Sequence, residues 1–144
     1  MSTQPTDKPH PDPDQITVGI RQPWVELILQ GIKTIEVRTV NTRKRGRIYL
    51  YASKKLAETP PALAAAKRLD LDVTPLPRGV VVGSVELHNT RPIRKRDATA
   101  ACVPGAMLDG QYAWELRDPV RFAEPLEVLF LPYGVWFYPW RRRG

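Results

Sequence analysis

The chain has 144 residues, enough for one domain with its own core, and 42% of them are hydrophobic, which excludes a disordered protein. Apolar runs such as Val80–Val82 and Val128–Leu131 are far too short to span a membrane. The formal net charge is +7, and the single cysteine, Cys102, excludes an internal disulfide and suits a reducing compartment.

In chain order, Met1–Gln15 holds four prolines among polar residues and is expected to be a disordered arm. Ile16–Ile20 reads as a short strand. Pro23 opens a helix, because its fixed φ suits the first turn, and Trp24, Leu27 and Ile28 recur at helical spacing on a core-facing side. Gly31 is the expected stop. Thr34–Arg38 alternates, with Ile35 and Val37 opposed to Thr34, Glu36 and Arg38. A polar loop, Asn41–Gly46, leads to Arg47–Ser53, where Ile48, Leu50 and Ala52 oppose Tyr49, Tyr51 and Ser53. Thr59-Pro60-Pro61 starts an alanine-rich helix running to Leu69. After a proline-broken connection, Gly79–Leu87 is the strongest strand. A short helix is expected from Lys95 to Ala101. Gln111–Arg117 alternates with Tyr112, Trp114 and Leu116 on one face, and Val120–Leu131 is a further strand region interrupted at Pro125. Val135–Trp140 can close the sheet, and Arg141-Arg142-Arg143 begins a basic tail, 141–144. Some six short strands with a helix after the first point to a small closed or nearly closed β-barrel over 16–140. The count does not distinguish one kind of small barrel from another.

The charge is unevenly spread. Between Lys33 and Lys55 there are eight basic residues and one acid, Glu36. Such clustering makes a local positive potential that attracts phosphate polyanions. Within Gly31-Ile32-Lys33-Thr34-Ile35-Glu36-Val37-Arg38, Lys33 and Arg38 are placed to hold phosphate and Glu36 to accept from a base or sugar. The alternative is a surface ion pair of Glu36 with either cation. Arg43, Lys44, Arg45 and Arg47 read as backbone-tracking cations beside that cleft, or as a solvated loop. Among the aromatics, Trp24 is a candidate cleft floor, and Tyr49 or Tyr51 a stacking platform.

Ile20-Arg21-Gln22-Pro23-Trp24 followed by the Gly31–Arg38 segment resembles the signature of the ASCH domain family, including the ASCH domain of activating signal cointegrator coactivators. The resemblance continues in Arg45–Lys54 and Gly79–Leu87. It implies an α+β fold: a small PUA-like β-barrel of about six strands with two or three short helices. It also implies a protein that binds RNA, DNA or a nucleotide-like ligand through a cleft built on the Gly-x-Lys-x-x-Glu-x-Arg segment, and the lone cysteine's fit to a reducing compartment makes a cytoplasmic location the expectation. The expected binding residues are Arg21, Gln22, Trp24, Lys33, Thr34, Glu36, Arg38, Arg43, Arg45, Arg47, Tyr51, Ser53 and Lys54. Neither a membrane nor a cofactor is called for. Only His10 and His88 could join Cys102, so a four-ligand Cys/His zinc site is excluded.

Some members resemble enzymes that hydrolyse the acetyl amide of N4-acetylcytidine with a lysine, a threonine and a glutamate. Lys33 and Glu86 match the lysine and the glutamate, while Glu36 stands at the threonine position and Thr34 two residues earlier. The alternative function is therefore a small amidohydrolase using Lys33, Glu36 and Glu86. A ribonuclease comes third, because only Glu36 and Glu86 are available as carboxylates. An adaptor docking a partner on Val135–Trp140 is the remaining alternative.

Overall fold

The computed structural model describes residues 10–142. The chain forms β1 (Thr17–Ile20), α1 (Trp24–Leu29), β2 (Ile35–Arg38), β3 (Gly46–Ala52), α2 (Pro60–Arg68), β4 (Val80–Pro92), α3 (Ala98–Ala101), β5 (Tyr112–Leu126) and β6 (Trp136–Phe137), with short 3-10 turns before and after α3. One curled six-stranded sheet runs β2-β5-β4-β3-β1-β6. β1 and β3 are parallel, and every other pairing is antiparallel. The result is a half-barrel with three short helices, a small α+β fold of the PUA-like kind.

Local chemistry explains the first elements. Gln22 is fully buried; its Oε1 accepts the Glu26 N–H at 2.9 Å and its Nε2 donates to the Pro77 carbonyl at 3.1 Å. That side chain satisfies a donor the first helical turn leaves open. Pro23 stands at the N-cap of α1. Gly31 takes φ +78 just past the C-cap, and the Ile32 and Lys33 N–H groups both fold back onto the Leu27 carbonyl.

The expected strands over Gln111–Arg117 and Val120–Leu131 are two halves of one strand, β5, ending at Leu126. The bend comes where Asp118 adopts φ +53 and the pairing with β4 shifts register between Ser84 and Glu86. β2 pairs with β5 only as far as Glu115, so β5 has a free edge beyond it, where Pro119 and Pro125 forfeit no ladder bond. At Gly83 a Cβ would lie 2.4 Å from the Val120 carbonyl and 2.6 Å from Leu29 Cδ2, so the bulged ladder and α1 close only over a glycine.

Both faces of β3 are buried. Ile48, Leu50 and Ala52 join Val18, Ile20, Ile28, Val85, Leu87 and Trp114 inside the curl. Tyr49 and Tyr51 pack on the other face with Val81, Phe122, Phe137 and Trp140. The outer strands β2 and β6 share no ladder. The curl is closed by side chains instead: Trp114 of β5 stacks on Trp136 of β6 at 5.5 Å, and Arg38 of β2 reaches across to β1.

Of the expected arm, residues 1–9 lie outside the described residues. In 10–15, Asp14 pairs with Arg141 at 2.8 Å and Gln15 donates to the Arg47 carbonyl. Of the basic tail, 143 and 144 lie outside the described residues, and the Arg141 guanidinium sits 3.8 Å from the Tyr138 ring.

Candidate nucleic-acid interface

The residues expected to line one cleft fall into three places. The first is the buried surroundings of β2. Lys33 is only 2% exposed; its ammonium donates to the Ala101 carbonyl at 2.6 Å and lies 4.7 Å from the Trp24 ring centre. Burial pulls the Lys33 pKa below the ordinary lysine range, and Glu36 and Cys102 oppose that pull electrostatically. Glu36, 7% exposed, accepts from Arg38 Nε at 2.9 Å. Arg38 Nη2 donates to the Gly19 carbonyl at 3.0 Å, and its guanidinium lies 5.4 Å from the Trp114 ring.

The alternation of β2 has the expected phase, but its polar face is turned inward. Ile35 and Val37 pack outside, with Ala101 and Ala113, under the segment that carries α3. Placing Glu36 and Arg38 within the curl is tolerable because each meets the other's charge and Arg38 finds a carbonyl as well. Thr34 is exposed, and its backbone binds Ala100 and Leu116.

The second place is an open cleft where the parallel strands β1 and β3 end. Arg21 follows β1; Ser53, Lys54 and Lys55 follow β3; Arg78 enters from the connection before β4, where its Nη1 donates to the Lys54 carbonyl. Leu131 and Pro132 border an adjoining open part of the cleft together with Arg21, Ser53, Lys54 and Lys55. Arg21, Lys54 and Lys55 are exposed and make no ion pair among the described residues; Glu58 is the one acid that lines the cleft. Tyr51 reaches this cleft only at its edge. It is 2% exposed and packs edge-on against Phe137 at 5.5 Å, so it is a core residue and not an open stacking platform. Tyr49 is likewise buried against Phe122.

Gly19 links the two places. Its carbonyl receives Arg38, and its Cα side, open for want of a side chain, faces Ser53 Oγ, Tyr51 and Pro132 at 3.5 to 3.9 Å from where a Cβ would stand.

The third place is the opposite end of β3, a seven-residue strand and so roughly 20 Å away. Arg43 and Lys44 are exposed there. Arg45 donates to the Thr42 and Lys44 carbonyls and to Thr90 Oγ1, and Arg47 to the Asp118 carbonyl at 2.6 Å. The loop of 41–45 is therefore not beside the cleft at the end of β1.

Glu86 belongs to none of these. Its neighbours Val85 and Leu87 point into the core, so Glu86 points out, where Arg117 Nη2 donates to it at 3.0 Å and holds its pKa below the ordinary value. Lys33 is buried against Ala101 and Trp24, with Glu36 among the charges that act on it, whereas Glu86 is paired with Arg117 and shares no hydrogen bond or ion pair with Lys33 or Glu36. No group of three or more His, Cys, Asp or Glu that could hold a metal ion occurs among the described residues, so Glu36 and Glu86 gather no further carboxylates either.

Sequence reasoning missed Lys55, Arg78, Leu131 and Pro132 as cleft residues. Lys55 was visible as the end of the basic run. Arg78 and 131–132 arrive from distant loops and carry no local signal.

A model of the ASCH domain matches residues 18–126, which include α1, all of β2 and β3, and both long strands. The chain belongs to the ASCH domain family. No curated protein matches it in sequence. Among solved structures, the ASCH protein of Zymomonas mobilis superposes with a TM-score of 0.59 at 17% identity over 88% of each chain. A tyrosine-to-phenylalanine variant of that protein gives 0.55 at 14% identity, over 86% of this chain and 88% of that one. A serine-to-alanine variant gives 0.57 at 16%, over 90% of each chain. At such identities these structures share the ASCH fold with this chain, and the match reaches beyond the bounds of the family model.

Proposed function

We propose that this ASCH domain binds nucleic acid, with the phosphate backbone seated in the cleft at the ends of β1 and β3. The observation that carries the reading is the convergence of Arg21, Lys54, Lys55 and Arg78 from three separate segments around one open cleft, against a single lining acid, Glu58. Exposed cations that lack carboxylate partners repel one another; a polyanion relieves that repulsion and releases its own counterions on binding. The Gly31–Arg38 segment then acts as the frame. Arg38 fixes the Gly19 carbonyl, and with it the strand whose end presents Arg21. Arg43 and Lys44, at the far end of β3, extend the positive surface along a longer strand.

Fluorescence anisotropy of a short labelled single-stranded RNA at low and moderate salt tests this. Binding that weakens steeply with salt, and that falls further when Arg21→Ala and Lys54→Ala are combined, supports the proposal. Affinity indifferent to both changes would discard it.

A further inference from the structure

The loop between β5 and β6 has an unusual surface. Leu129 is 74% exposed, Leu131 55%, and Tyr133 and Val135 are exposed as well. A soluble domain does not ordinarily leave several large apolar side chains together in water without a use for them. The loop is also held in place. The Leu129 and Phe130 N–H groups both donate to the Pro139 carbonyl, at 3.2 and 3.0 Å, Trp140 Nε1 donates to the Glu127 carbonyl at 2.9 Å, and the Tyr133 ring packs edge-on to Phe137. It is therefore a fixed wall.

Its position decides what it faces. Leu131 and Pro132 border the same open hollow as Arg21, Ser53, Lys54 and Lys55. One wall is cationic and the other apolar, with Ser53 between them as a hydrogen-bonding group. A phosphate alone satisfies only the first wall. An apolar peptide satisfies only the second. A nucleotide with its base unpaired satisfies both: phosphate to the cations, the flat face of the base to Leu131 and Pro132. A base inside a duplex has both faces stacked and cannot reach that wall.

We infer that Leu131 and Pro132, carried by the 129–135 loop, are a docking wall for an unpaired base, which makes single-stranded nucleic acid the ligand class of the cleft. This rests on the reading of the cleft as a phosphate site, and the experiment separates the two. Affinities are measured for a short single strand and for an abasic strand of the same sugar and length, on the wild-type chain, on Leu131→Ser and on Arg21→Ala/Lys54→Ala. The wild type should prefer the base-bearing strand by about tenfold, the effect of removing a modest apolar area from water. Leu131→Ser should bring that ratio close to one. The double variant should weaken both strands alike. Equal affinity of the wild type for the two strands, or a ratio untouched by Leu131→Ser, overturns the docking wall while leaving the phosphate site standing. No salt-sensitive binding of either strand overturns both. A concentration-dependent dimer that Leu131→Ser dissolves would make the loop a self-association surface and overturn the inference as well.

Discussion

The cations on the two sides of Gly19 are placed under opposite conditions. On one side Arg38 lies within the curl and Lys33 is buried against the Ala101 carbonyl and the Trp24 ring, each hydrogen-bonded, with Glu36 as the shared counter-charge. On the other, Arg21, Lys54 and Lys55 stand in solvent without ion-pair partners among the described residues. A buried charge is held at the expense of its hydration, so removing its partner is felt by the fold. An exposed cation has little to lose in the fold and most to gain from a ligand. The segments that resemble the family signature hold members of both sets, Lys33 and Arg38 of the first and Arg21 and Lys54 of the second, so the signature alone does not tell the framing cations from the exposed ones.

That contrast is broken most easily from the buried side. Glu36→Ala leaves Arg38 and Lys33 without their carboxylate, and should destabilise the fold by about 3–5 kcal/mol, read as a lower midpoint in urea unfolding. A change below about 1 kcal/mol would mean that these charges are solvated and belong with the cleft.

The next effect comes from a second paired acid. Asp97 accepts both terminal nitrogens of Arg91 at 2.8 and 2.9 Å and the Arg94 N–H at 2.8 Å, and these bonds lower its pKa from 3.8 to about 2. Asp97→Asn should cost about 2–4 kcal/mol near neutral pH. The native state holds the proton less tightly than the unfolded chain. The stabilisation is therefore fully present above the ordinary value of 3.8 and is lost as pH falls toward about 2. Acid titration of wild type and variant should show the two stability curves converging over that window; a constant gap would mean that the carboxylate charge plays no part.

How much of this was legible in the sequence depends on how local each cause is. The turn at Gly31 and the start of α1 were readable because proline, glycine and helical spacing act within a few residues. The phase of β2 was readable too, but not which face turns inward, because Ala101 and Ala113, far along the chain, cover Ile35. The outward aspect of Glu86 was already present in the alternation Val85-Glu86-Leu87. Arg78, Leu131 and Pro132 could not have been assigned. Only the curl of the sheet brings them to Arg21 and Lys54.

From the exposed side the effects on the fold are smaller. Combining Arg21→Ala with Lys54→Ala should change stability by no more than about 0.5 kcal/mol per site while lowering nucleic-acid affinity. Arg43→Ala, at the far end of β3, should weaken binding less and equally for all sequences, since a phosphate contact carries no base information. A sequence-dependent loss would place Arg43 at a base.

The most direct test of the central claim is the slope of log affinity against log salt for a short single strand, measured on the wild-type chain and on the Arg21→Ala/Lys54→Ala variant. Two phosphate contacts removed from a single-strand complex should make the slope shallower by about 1.4. Parallel lines would contradict the account, because the cleft at the ends of β1 and β3 would then hold no phosphate.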